Sequence, residues 1–183
     1  DARLVHLKGL TNLRSISLGR TKVTDEGLAH LSGMNLKGLT IPKECQTDLG
    51  LKHYLAAKQP SKYLQLFEWQ ISDAGLVHLK DLTKLQTLNL RNTKVSGSGL
   101  VHLKELTKLQ TLDLRSTQVT DTGIAQLAGM NLKTLRIPNE AQTDVGLKHY
   151  LAALESQSHR PSYRPFALSG WQITDAGLVH LKE

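Results

Sequence analysis

The chain has little of what builds a conventional single core. Aromatic residues make up 4% of its 183 residues, so the interior has to be aliphatic. One cysteine, Cys45, excludes an internal disulfide and argues against cysteine-rich end caps of the extracellular kind. There is no run of about 18 apolar residues, so no membrane-spanning helix is visible. A Walker loop, a G-x-S-x-G turn, an H-E-x-x-H pair and a paired-cysteine metal motif are all missing, and with them the usual grounds for assigning catalysis or a cofactor. We therefore expect a non-enzymatic chain without a cofactor, and composition leaves its compartment open.

Charge is unbalanced: 23 basic against 16 acidic residues give +7 with histidines neutral. Such a surplus raises encounter rates with acidic partners or nucleic acid. Lysines that merely solubilise the outer surface would give the same count. Four of the fifteen lysines, Lys8, Lys80, Lys104 and Lys182, sit in a recurring H-L-K segment, away from the expected strands.

What the chain has in abundance is itself. LQTLNLRNTKVSGSGL at 85–100 returns as LQTLDLRSTQVTDTGI at 109–124, 24 positions later. Seven copies of a (T/S)-x-x-G-(L/I) segment set the register, at Gly27, Gly50, Gly75, Gly99, Gly123, Gly146 and Gly177. Each opens with Thr or Ser, usually followed by Asp. That is a helix N-cap signal: the hydroxyl accepts from first-turn amides and the carboxylate favours the positive dipole end. The fourth unit has Gly97 in place of Asp, which lowers its helix propensity. The recurring glycine itself implies tight approach to a neighbouring coil, not a phosphate loop. Ahead of each cap, L-x-L alternates with period two, as in Leu88 and Leu90 or Leu112 and Leu114. Leucines after the cap, such as Leu28 and Leu31, recur at helical spacing. Each unit reads as strand, turn and short helix, stacked on the next.

This L-x-x-L-x-L-x-x-T pattern with T-D-x-G-L helix starts resembles the leucine-rich repeat family, in its bacterial form of about 24 residues. The resemblance covers essentially the whole chain. It implies a right-handed α/β solenoid, an open arc with seven parallel strands on the concave face and short helices on the convex face. Residues 1–183 would be one domain of about seven repeats, cut from a longer array. The position usually held by Asn in the family reads Thr21, Glu44, Trp69, Thr93, Thr117, Glu140 and Trp171 here, so a continuous asparagine ladder is not expected. A longer period overlies the first, because GMNLKGLTIPKECQTDLGLKHYLAA at 33–57 recurs at 129–153 with few changes, making four repeats the unit of duplication. Neither end carries a recognisable polar cap, and end-to-end self-association is a further expectation.

Histidines recur in nearly every unit, but each on a separate helix, where convergence on one metal ion is not expected. They would add positive charge as pH falls through about 6.5. Cys45 occupies the place of Ala141 in the duplicate, which points to small-residue packing and not to a nucleophile. Glu44 and Glu140 lie on different coils, too far apart for a carboxylate pair.

Family resemblance implies a scaffold that binds a protein or peptide on the concave sheet. The residues expected there are Tyr63, Phe67, Arg91, Asp113, Arg115 and Arg136. Tyr and Arg are enriched at interface hot spots, and Arg beside Phe can form a cation–π contact. Ordinary exposed strand positions would look the same in sequence, and Phe67 could turn inward in the irregular third unit. The insertion ESQSHRPSYRP at 155–165 is either a recognition loop or tolerated slack. Two other functions stay open: nucleic-acid or polyanion binding through the basic surface, and a purely structural spacer in a larger protein.

Overall fold

A computed structural model of the chain describes residues 2–59, 61–154 and 168–181. Six short strands recur along it: β1 (Ser15–Ser17), β2 (Gly38–Thr40), β3 (Tyr63–Gln65), β4 (Thr87–Asn89), β5 (Thr111–Asp113) and β6 (Thr134–Arg136). Each opens one coil, so coils 1 to 6 take their strands' numbers and coil 7 follows. Pairing is parallel and in register, with Leu64, Leu88, Leu112 and Leu135 stacked as successive Cα partners. Period-two alternation turns these leucines into the core, where all four are at most 4% exposed. The flanking residues turn out.

Five α-helices lie across the core from the strands: α1 (Asp25–Ala29), α2 (Asp48–Ala57), α3 (Asp73–Leu76), α4 (Asp144–Ala153) and α5 (Asp175–Leu178). Coils 4 and 5 close instead with 3-10 turns, Gly99–Leu103 and Gly123–Leu127. Leu28, Leu31, Leu51, Leu76, Leu79, Leu100 and Leu103 bury fully from this side. The result is one largely aliphatic core running through coils 1 to 6 of an open α/β solenoid, with Trp171 of coil 7 packed against it.

The expected single sheet is corrected in its continuity. Among the described residues there are six strands, and they form two sheets, β1-β2 and β3-β4-β5-β6. The seventh strand was expected at Phe166 and Leu168, and Phe166 lies outside the described residues, as does the 155–165 insertion. The break between β2 and β3 has a cause in chain length. Leu36 still bridges to Lys58 and Thr47 to Gln70, so coils 2 and 3 stay stacked. From Leu36 to Leu39 the chain advances three residues, and from Lys58 to Leu64 it takes six. The three extra residues of coil 3 fall just before its strand, and Pro60 among them has no N–H to offer.

The cap signals hold: Thr24, Thr47, Ser72, Thr143 and Thr174 each accept from a first-turn amide of the following helix. The aspartate after the cap has a second role that the local pattern does not reveal. Asp48 accepts from the amide of Ser72 at 2.8 Å and its hydroxyl at 2.5 Å. Asp73 does the same with Ser96, at 2.7 and 2.6 Å, and also takes the Ser98 hydroxyl at 2.6 Å. Asp144 holds Thr174 likewise, while Asp25 and Asp121 accept from the hydroxyls of Thr47 and Thr143. Each carboxylate thus ties one coil to the cap of the next. The recurring glycines make room for this: a Cβ on Gly75 would strike the Asp48 carboxylate, and one on Gly99 that of Asp73. Where Gly97 replaces the aspartate, the rung between coils 4 and 5 is missing, and a Cβ on Gly123 would lie only 2.8 Å from the Gly97 Cα.

Threonine in the place of asparagine also has a physical account. Thr21, Thr93 and Thr117 donate their hydroxyls to the carbonyls of Leu18, Leu90 and Leu114, three residues back, at 2.6–2.7 Å. Trp69 and Trp171 instead lie edge-on to Tyr54 and Tyr150, with ring centroids 5.3 and 5.2 Å apart. These two matched aromatic pairs show the four-coil duplication in three dimensions. Cys45 is buried with its thiol 3.2 Å from the Val23 carbonyl. Burial, then the charge of Asp25, pushes its pKa up to about 11, so it stays a protonated packing residue.

Candidate binding face

The outward residues of β3 to β6 form one surface, one residue per coil in each row. Strand spacing sets those rows about 4.8 Å apart, close enough for neighbouring side chains to touch. Tyr63 opens the surface and is 61% exposed. Phe67 points outward too, 42% exposed, which resolves the inward alternative for coil 3. The Arg91 guanidinium lies over its ring, 5.5 Å from the centroid. The expected cation–π neighbours do meet.

Asp113 departs from expectation. It is only 4% exposed, so it is not itself a contact residue for a partner. It sits behind two arginines and aims them. Arg115 Nε donates to Oδ1 at 3.0 Å and its Nη2 to Oδ2 at 2.6 Å, a two-point fork. Arg136 Nη1 reaches Oδ2 at 3.5 Å from the next coil. The burial has a backbone reason as well, since the Arg115 amide donates to Oδ1 at 3.1 Å. Burial pushes the Asp113 carboxyl up, but the hydrogen bonds and charge of Arg115, and then the charge of Arg136, hold it below the ordinary aspartate value. Arg115 is raised in turn by its bond to Asp113. The arginine side chains remain 44% and 55% exposed, so each keeps donors for something else.

Two residues not among the six expected ones complete the surface. Asn89 donates to Gln65 Oε1 at 2.9 Å and accepts from the Arg91 amide at 3.0 Å. Asn89 and Asp113 therefore occupy equivalent positions and make the same turn bond. That equivalence was available in the matched LNLRN and LDLRS segments. Pro42 and Pro138, which the alternation places outward, are buried instead. They lead the 3-10 turns Lys43–Cys45 and Asn139–Ala141 that bend the chain off the sheet in coils 2 and 6. Coils 1, 3, 4 and 5 make that bend through left-handed residues, Arg20, Glu68, Asn92 and Ser116.

The buried carboxylate of this surface, Asp113, is committed to two arginines, and no group of three metal-binding side chains occurs among the described residues. The histidines of successive coils are mostly half-buried along the helical side, and His78 is held below the usual imidazole value by burial and by Lys52.

A profile of the Leucine Rich repeat family matches residues 9–32, 81–104 and 105–128. The chain is a leucine-rich repeat protein. The profile finds coils 1, 4 and 5, the regular ones, whereas the coils carrying Pro-led turns, tryptophans or extra residues fall outside it. Leucine-rich repeats generally mediate protein–protein interaction. No curated protein matches this chain.

Proposed function

We propose that this leucine-rich repeat array is a protein-interaction scaffold that receives an acidic protein or peptide segment on the sheet face. The observation that carries the reading is the aimed cluster of three arginines beside an exposed aromatic pair. Arg91, Arg115 and Arg136 against Asp113 and the exposed Glu68 leave the surface with one net positive charge. Tyr63 and Phe67 add apolar area that loses no charge solvation on docking. Arginines already fixed by Asp113 and Phe67 lose less side-chain freedom when they bind, which favours affinity. Carboxylates on the partner match the guanidinium fork.

Arg91 is the clean probe. It forms no ion pair among the described residues, so reversing its charge leaves no buried partner stranded. Changing Arg115 would instead leave Asp113 buried without its main counter-charge. A pull-down comparing wild type with Arg91→Glu and with Phe67→Ala should show the same protein lost from both variants, with affinity down about tenfold or more. Unchanged melting curves would assign that loss to contact and not to folding. An unchanged partner list in both variants would end the sheet-face reading.

A further inference from the structure

The chain segments leading into β5 and β6, at the strand-entry edge, enclose an open cleft of about 660 Å³. Volumes of this order suit small ligands. Three lysines line it: Lys104 and Lys108 from the segment before β5, and Lys133 immediately before β6. Gln86, Gln110, Asn131 and one threonine hydroxyl supply the other polar side chains, and no carboxylate is among the lining residues. Glu105 adjoins Lys104 in sequence, yet it neither lines the cleft nor pairs with a cation among the described residues.

The backbone fixes part of this arrangement. Gln110 donates its amide to the Gln86 carbonyl at 2.9 Å, and Lys133 to the Gln110 carbonyl at 2.8 Å. Three consecutive coils therefore each place a polar side chain in one row. The three lysines are exposed, and the only ion pairs among the described residues belong to Asp113. Three cations thus border one cleft with no counter-charge among its lining residues. A ligand carboxylate is matched best by arginine's planar fork, and this cleft has none. Lysine offers a point charge with three rotatable donors, which suits the several oxygens of a phosphate group.

We infer that this cleft binds a compact group of two or three linked phosphates, held by Lys104, Lys108 and Lys133 with neutral donors from Gln110 and Asn131. The cleft shares no residue with the sheet-face cluster, so either assignment can fail alone. A free oligophosphate and a multiply phosphorylated lipid headgroup carry the same chemistry.

The test is calorimetric titration of the full chain with inorganic tripolyphosphate at low salt. Wild type is compared with Lys108→Gln/Lys133→Gln and with Lys37→Gln/Lys62→Gln, which removes equal charge from the same edge outside the cleft. The first variant should lose about tenfold or more in affinity, and the second less than about threefold. Equal losses in both variants, or no binding by wild type, overturn the assignment. Co-sedimentation with phosphatidylcholine vesicles, with and without phosphatidylinositol bisphosphate, separates the sources. Cleft-dependent vesicle binding identifies the headgroup, and binding of tripolyphosphate alone identifies a free ligand. Single-stranded DNA that binds more tightly than tripolyphosphate, and equally to both variants, would replace the cleft with a diffuse polyanion surface.

Discussion

Gly50→Ala is expected to cost more than about 3 kcal/mol and to unfold the coils around it. A Cβ at Gly50 would land on the Cys45 carbonyl oxygen, a backbone atom that cannot swing aside like a side-chain tip. It would also meet the Asp25 carboxylate at 2.8 Å. Relief requires α2 to pull away from the Lys43–Cys45 turn of its own coil as well as from Asp25 of coil 1, which opens the buried Leu28 and Leu51 to water. Because each coil touches only its neighbours, the damage should stay local. Thermal unfolding followed by circular dichroism should therefore become biphasic, with the β3–β6 coils melting last. Gly9→Ala is the control, since nothing lies within 4 Å of its added carbon, and it should change stability by less than about 0.5 kcal/mol. A single, unshifted transition for Gly50→Ala would refute the packing account of the recurring glycine.

Removing a rung should have the next largest effect. Asp73→Ala deletes the acceptor for the Ser96 amide and hydroxyl and the Ser98 hydroxyl, and is expected to cost about 2–4 kcal/mol. Protonation does the same job more gently. Burial raises the Asp73 carboxyl, but hydroxyls of Ser96 and Ser98, then the Ser96 and Gly99 amides, bring it below the ordinary value. Asp113 is lowered against its own burial by the hydrogen bonds and charge of Arg115, then the charge of Arg136, and Asp144 is lowered mainly by the Thr174 hydroxyl and amide. A folded-state pKa below the unfolded one means stability present above the unfolded value, near pH 4, and lost as pH falls through the folded value. Denaturant midpoints measured between neutral pH and pH 2 should thus decline below about pH 4. The decline should be shallower in Asp73→Ala, which has already lost one of the titrating clamps.

The repeat fold was legible because a stacked array writes its contacts periodically. Register, caps and the leucine core all follow from patterns within one coil. The rungs were less legible, since Asp48 meets Ser72 across 24 residues and the N-cap signal already accounts for an aspartate locally. The sequence signal for the rungs is the glycine that the next coil places opposite each such aspartate. Phe67 beside Arg91 was readable from alternation. The burial of Asp113 was not, because it depends on two arginines closing over it from its own coil and the next. Nor did alternation foresee the sheet break, although the longer third unit, Pro60 and Ser61 for leucine all mark the spot.

The two interruptions fall on opposite edges of different joints. Coils 2 and 3 lack strand pairing but keep the Asp48 clamp, whereas coils 4 and 5 lack the clamp but keep full pairing of β4 with β5. No joint among the first five coils is untethered on both sides. Each interrupted joint therefore keeps one of its two ties, on opposite edges, and is held besides by the continuous core. Separating the coils at either of these joints takes the loss of one further tie, whereas the joints between coils 1 and 2 and between coils 3 and 4 would each have to lose two.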